Sequence, residues 1–316
     1  PGRARRRGSD GRTDGRRTTP DDGGMRLLLL VVAAAAATAV GAVAANDEAY
    51  SFCRDTSGGR WVPTWGDEFD GDALDTSVWS NKANGCRLAT CDLRNAHVRD
   101  GKLVLVSRRH GPNNYTSAAI ETRGVRQWSH WPGFRVCVRA RLPGNASAPH
   151  TNAGVWPAHW MLPDHEDCDP DYGEIDILEM VSGKGTAWST YHWQNSMPEH
   201  PCRYPQNHSE VAVGTVLTAW SERYVEYAVE HTGDYIAYVI NGIVVLNVTS
   251  GDDRDKEPMF WPRPFYLILN TAVGGGWPGP PNDNTTFPLY HYIDYVRSMR
   301  PAGAPDDGDE RGVRKW

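Results

Sequence analysis

The chain has 316 residues, enough for one large domain or two ordinary ones. A formal net charge of −6 argues against nucleic acid as a partner. Thirteen Trp and 13 Tyr against 6 Phe favour side chains that join a flat apolar face to a polar handle. Such side chains suit a cleft for sugar rings, which pair an apolar C–H face with a rim of hydroxyls, although most of them are expected in the core and sheets.

In chain order, residues 1–24 are rich in Arg, Gly and Asp and hold no apolar run. They read as an upstream leader or as residues outside the natural protein. Met25 and the run RLLLLVVAAAAATAVGAVAA follow: one positive charge, an apolar stretch and small residues ending in an A-x-A-like site. Residues 25–45 are therefore expected to be a signal peptide, cleaved near Ala44 or Ala45. A secreted, extracellular or cell-wall product follows, with no stable membrane insertion after cleavage. Residues 46–60 are read as an N-terminal segment and 61–300 as one catalytic domain.

Within that domain the sequence predicts short strands separated by turn clusters and no helix of any length. Gly101–Ser107, Phe134–Leu142 and Gly173–Val181 are β-rich runs. Val225–Val229 and Tyr235–Ile240 flank His-Thr-Gly, and Asn241-Gly242 separates Ile236–Ile240 from Ile243–Val248. Asn-Gly between β-branched runs is a strong hairpin signal. Pro264–Val273 and Tyr290–Met299 close the series. Many short strands with Gly/Pro turns imply an all-β sandwich or barrel. The polar tail 301–316 is expected to be disordered.

Six cysteines, an even count in an exported chain, suggest disulfides, but six allow 15 pairings. Cys86–Cys91 and Cys168–Cys202 are the pairings expected here. No C-x-x-C spacing supports zinc. N-x-S/T sequons at Asn114, Asn145, Asn207, Asn247 and Asn284 agree with a secretory route and glycosylation.

The chemistry concentrates in Glu174-Ile-Asp176-Ile-Leu-Glu179. In a regular strand residues two apart share a face, so Glu174 and Asp176 point one way and Glu179 the other. A β-bulge between Asp176 and Glu179 would return Glu179 to that face and line three carboxylates along one wall. Carboxylates so crowded repel one another, and at least one should hold a proton at neutral pH. An ionised nucleophile beside a protonated acid is what a retaining glycosidase requires. The alternative is an acidic strand edge or a cation site, yet acidic residues are costly among Ile, Ile, Leu and Met.

These residues resemble glycoside hydrolase family 16, and within it the laminarinase-like endo-β-1,3-glucanases. GEIDILEM reproduces the family signature E-I/L-D-x-x-E in its bulged form. Four other blocks agree in order: Trp65–Gly71, Gly154–Pro163 (GVWPAHWMLP), Leu269–Gly279 (LNTAVGGGWPG) and Tyr292–Arg297. The resemblance implies a jelly-roll sandwich of two curved antiparallel sheets (concanavalin-like) with an open concave cleft. It implies Glu174 as nucleophile, Glu179 as acid/base, Asp176 as their helper and His192 as a neighbour of the acid/base. Trp156 and Trp160 match tryptophans that stack on glucose, Trp277 is a third candidate, and Asn84 matches an Asn that contacts substrate. Glu68, the backbone of Gly101 and Asp294 fall where the family holds a structural calcium, whose ligands are oxygens. No cofactor is expected for catalysis. The expected partner is a β-glucan polysaccharide of β-1,3 or mixed β-1,3/1,4 linkage, cut by a monomer. Transglycosylation and non-catalytic glucan binding are the alternatives.

Three stretches depart from the family, one of them Asn145–Asn152, a longer insertion before the Trp block that is expected to reshape the cleft. Ala118 and Ala119 stand where a basic residue commonly reaches the cleft, with Arg123 only later. Asn84–Leu93, with Cys86 and Cys91, is unusual and is expected to form a disulfide-pinned loop that reshapes one end of the cleft.

Overall fold

Short runs of β-branched and aromatic residues cannot bury a face alone, so they pair into sheets that pack on each other. The computed structural model describes residues 51–54, 59–129, 131–164, 173–193, 207–213, 220–249 and 264–304. The chain divides into two units, Pro1–Ala45 and Asn46–Trp316, and every described residue lies in the second. Cys168 and Cys202, the signal segment and residues 305–316 lie outside the described residues.

Seventeen strands form among the described residues. In chain order they are β1 (Trp61–Asp67), β2 (Ser80–Asn81), β3 (Thr90–Cys91), β4 (Ala96–Val98), β5 (Leu103–Gly111), β6 (Asn114–Ser117), β7 (Ala119–Glu121), β8 (Phe134–Arg141) and β9 (Val155–Pro163). They continue with β10 (Glu174–Met180), β11 (Ala187–Trp193), β12 (Asn207–Val213), β13 (Val225–His231), β14 (Tyr235–Ile240), β15 (Ile243–Thr249), β16 (Phe265–Val273) and β17 (Leu289–Pro301). The larger sheet runs β15-β14-β13-β8-β17-β5-β6-β3, with β1 on β17 and β4 on β5. The smaller runs β12-β11-β10-β9-β16-β7-β2. Pairing is antiparallel except for the short parallel β3/β6 ladder.

Period-two alternation decides what each strand buries. On β8, Phe134, Val136, Val138 and Ala140 enter the core between the sheets. They meet Phe265, Leu267 and Leu269 of β16 and Ile175 of β10 in the same cluster. The two-residue turn predicted at Asn241-Gly242 forms, with φ of 46° and 77° and Ile240 opposite Ile243. Both positive angles fit a type I′ turn, which matches strand twist.

Both ends of the domain differ from the expected boundaries. Cys53 bonds Cys137 on β8, a pair 84 residues apart. Glu226 then accepts Ser51 Oγ at 2.6 Å and Phe52 N at 2.7 Å, so residues 51–54 belong to the fold. At the other end Pro301 still pairs with Trp61, and Ala302 N donates to Arg60 O at 2.8 Å. Pro301 and Ala302, the start of the tail expected to be disordered, are therefore held at β1 and the residue before it.

Candidate active site

The site lies on the face of the smaller sheet that points away from the core. β9 presents Trp156, Ala158 and Trp160 there, and β16 presents Tyr266, Ile268, Asn270 and Ala272 directly beside them. Leu162, Tyr266 and Ile268 pack with Trp160 as a small apolar patch separate from the main core.

The central feature is the bulge in β10. Register against β11 shifts between Asp176 and Glu179, and register against β9 shifts between Asp176 and Leu178. The extra residue lets two consecutive side chains, Ile177 and Leu178, enter the core. Parity is thereby restored, and Glu174, Asp176 and Glu179 share the cleft face. Glu174 stands opposite His192, Asp176 opposite Thr190 and Glu179 opposite Trp188.

Asp176 is almost fully buried. Burial pushes its pKa well up, the charge of Glu179 adds to the rise, and a hydrogen bond with Glu174 opposes it. Two carboxyls in hydrogen-bond contact hold a proton between them, so Glu174 and Asp176 share one at this contact. His192 Nε2 lies 3.0 Å from Asp176 Oδ2, so the histidine expected near Glu179 makes its direct contact with Asp176. One atom each of Glu174, Asp176 and His192 lies within 4.8 Å of the others. Burial, then repulsion from Glu174, lifts Glu179 to about 7, against the pull of a Trp156 hydrogen bond and of His192 and Arg87. Trp156 Nε1 donates to Glu179 Oε1 at 3.0 Å.

The expected tryptophans differ in surroundings. Trp160 Nε1 donates to Asn270 Oδ1 at 3.0 Å, and Asn270 Nδ2 donates to Gly85 O at 2.6 Å. Trp156 has the Arg87 guanidinium 4.9 Å from its ring centroid and Trp277 edge-on at 5.6 Å. Trp277, nearly half exposed, also meets Trp188 at 5.9 Å. Asn84 is exposed in the turn before Gly85 and comes near the site only through that turn.

Lys82, Arg87, Trp188 and Asn270 escaped the sequence reading. Lys82 Nζ lies 3.1 Å from Tyr266 OH, 3.4 Å from Glu121 and 5.9 Å from the Trp160 centroid. It brings a cationic group beside Trp160 and Tyr266 on the cleft face. Arg123 instead pairs with Asp164 at 2.9 Å. Asn270 was within reach of sequence reasoning, since it sits in the LNTAVGGGWPG block.

The calcium expectation meets a different chemistry. Both oxygens of Glu68 accept from Arg297, at 2.7 and 2.9 Å. Asp294 is held by Lys102 at 2.6 Å and by Arg139. The Gly101 carbonyl accepts from Lys102 at 3.2 Å. Cationic side chains already pair with Glu68 and Asp294 and a Lys102 ammonium meets the Gly101 carbonyl, so the three as held here do not offer an open oxygen site for the ion.

Comparison with known proteins agrees with this geometry. The model of Glycosyl hydrolases family 16 matches residues 95–297. A beta-glucanase from Rhodothermus marinus is 32% identical over 263 residues, covering 76% of this chain and 86% of that protein. Glucan endo-1,3-beta-glucosidase A1 from Niallia circulans is 30% identical over 74% of the chain, which spans only 37% of that protein's length. Among solved structures, the laminarinase catalytic domain from Thermotoga maritima MSB8 superposes with a TM-score of 0.63. It is 28% identical and covers 76% of this chain and 98% of its own.

Proposed function

Because the chain belongs to glycosyl hydrolase family 16, we propose that it hydrolyses internal β-1,3 bonds of a laminarin-type glucan with retention of configuration. The observation that carries this is the bulge that turns Glu174, Asp176 and Glu179 onto one face, with Glu179 poised at about 7. A carboxyl of that kind keeps its proton near neutral pH and can give it up during a reaction.

Two displacements follow. The Glu174 carboxylate attacks the anomeric carbon while Glu179 gives its proton to the departing glycosidic oxygen, leaving a glycosyl ester on Glu174. Glu179, now ionised, takes a proton from water. The hydroxide attacks the same carbon, the ester bond breaks, and both carboxyls return to their starting states. Asp176 shares a proton with Glu174 and so orients the nucleophile. No step needs a cofactor. Trp160 and Trp277 supply apolar faces for sugar rings, and Asn84 lines the rim. An open sheet face leaves both ends of a polysaccharide free, which suits an endo-acting enzyme.

Export through the segment ending at Ala44 or Ala45, glycans at the sequons, and action outside the cell as a monomer complete the proposal. The disulfides agree with an oxidising compartment. No helix among the described residues is long and apolar enough to cross a membrane.

The test incubates the protein with laminarin, mixed-linkage β-glucan, xyloglucan and agarose and follows reducing ends and product lengths. Short β-1,3 oligomers from laminarin are expected. Glu174→Ala should abolish turnover while glucan binding persists. Near-normal turnover in that variant would overturn the mechanism. Longer products without new reducing ends would assign transglycosylation instead.

A further inference from the structure

The segment that departs from the family, Cys86–Cys91, is closed by a disulfide and lies against the end of β16. Leu88 N donates to Val273 O at 2.9 Å, and Val273 N donates to Cys86 O at 3.2 Å. Arg87 bridges Val273 with a left-handed backbone, φ 59°. Two glycines after β16 leave room for the loop. A Cβ on Gly274 would collide with Leu88, and one on Gly275 would sit 3.3 Å from Trp156 and 3.6 Å from Arg87 Cγ. Both glycines hold positive φ, 70° and 130°, which a larger residue would resist. The loop, the turn and Trp156 are therefore fitted together, and what they bring to the ring is a guanidinium 4.9 Å above it. The other side of the same indole touches the acidic site, since its N–H donates to Glu179.

We propose that Arg87 is a positioning residue for the acid/base: the Cys86–Cys91 loop lays its guanidinium on Trp156, and Trp156 in turn holds Glu179. A planar cation over a Trp face is a favourable contact, and it fixes the ring's plane as a loose aliphatic neighbour would not. A fixed ring keeps its N–H aimed at Oε1 of Glu179. The charge also reaches Glu179 directly and favours its ionised form. The charged or titratable groups facing Glu179 are Glu174 and Asp176 from β10, His192 from β11 and Arg87 from the loop. β9 contributes the neutral Trp156. Arg87 is the one permanent cation in that set.

The inference rests on Glu179 being the acid/base, and the experiment separates the two. Wild type, Arg87→Ala, Arg87→Lys and Glu179→Gln are assayed on laminarin and on a dinitrophenyl β-laminaribioside, whose leaving group needs little acid help. Arg87 is exposed, and thermal melts check that its variants keep the fold. Arg87→Ala is expected to lose about tenfold in kcat on laminarin, a fraction of the roughly 10²–10⁴ that a positioned acid supplies. On the aryl glycoside, kcat/KM, which reports only the first displacement, should stay near wild type. The basic limb of kcat/KM on laminarin should move to higher pH, because losing the cation makes Glu179 hold its proton longer. Arg87→Lys should keep that limb near wild type yet recover only part of kcat, since it returns charge but not the planar stack. Equal losses on both substrates with an unmoved basic limb would overturn the proposal and make Arg87 a sugar-binding residue. Equal losses of kcat/KM on the two substrates for Glu179→Gln would instead overturn the acid/base assignment, and this inference with it.

Discussion

The crowding that readies Glu179 for proton transfer should cost the fold stability, and Glu179→Gln exposes that cost. The carboxyl moves from an ordinary 4.5 to about 7 in the folded chain, first through burial and then through repulsion from Glu174. A folded pKa above the unfolded one means that the group's stabilising contribution is complete below pH 4.5 and is lost as pH rises through 7. Carrying the carboxyl from 4.5 to about 7, at about 1.4 kcal/mol for each tenfold change in proton affinity, means that above pH 8 the ionised carboxylate costs about 3 kcal/mol. Glutamine has the shape of the protonated acid and still accepts from Trp156 Nε1, but it never ionises. Urea unfolding at pH 4.5 and pH 8.5 should show the variant and wild type nearly equal at the lower value. At pH 8.5 the variant should be more stable by about 2–3 kcal/mol, with an unchanged m-value. It should also lose laminarin hydrolysis. Equal stability at both pH values would refute the placement of a strained carboxylate on this face.

Two further outcomes follow from groups outside the acidic triad. His159 and His291 face each other in the core, Nε2 to Nε2 at 3.0 Å, and burial holds His291 down at about 3 and His159 well below its usual range. With depressed folded values, stability is full above pH 6.5 and is lost as pH falls, by about 5 kcal/mol for His291 alone at pH 3. Their imidazole proton NMR shifts should stay at the neutral position down to pH 4; titration of both near 6.5 would refute a dry, neutral pair. Chelation with EDTA should leave the Tm unchanged, because Arg297, Lys102 and Arg139 already neutralise Glu68 and Asp294. A fall restored by added calcium would refute that assignment.

What was legible in the sequence was what parity and turn chemistry decide locally. GEIDILEM could present three carboxylates on one face only with an extra residue, and the bulge stands between Asp176 and Glu179 as that logic required. The Asn241-Gly242 hairpin and the Cys86–Cys91 bridge were local in the same sense. Illegible features depended on which distant strands become neighbours. Cys53–Cys137 joins residues 84 apart, His159 and His291 lie on opposite sheets, and Asn270 reaches Trp160 only because β16 lies beside β9. Strand β9 itself, rich in Trp and Pro, was recognised from its block and not from alternation. The cations beside the expected calcium ligands were illegible for a related reason. Glu68, Gly101 and Asp294 were identified by position, while the cations that meet them, Lys102, Arg139 and Arg297, come from the turn before β5, from β8 and from β17.

The two faces of the sandwich handle charge in opposite ways, and the contrast shows where the chain accepts strain. On the outer face of the larger sheet, acids and cations are matched. Glu230 takes Arg135, Asp294 takes Lys102 and Arg139, and Glu68 takes Arg297. Arg135 also lies over both Phe52 and Trp61, 4.2 and 4.3 Å from their centroids, so its charge is covered by aromatic faces. Pairing of this sort sets each acid beside an opposite charge. On the cleft face Glu174, Asp176 and Glu179 share a wall whose nearby permanent cation, Arg87, is held one indole away from Glu179. A guanidinium in direct contact would pull Glu179 down to the ordinary carboxylate range and leave it no proton to give. Interposing Trp156 lets the cation fix geometry while burial and repulsion still keep Glu179 near neutrality. Replacing Trp156 by a short residue that lets Arg87 reach Glu179 should thus lower the basic limb of activity, the reverse of what Arg87→Ala does.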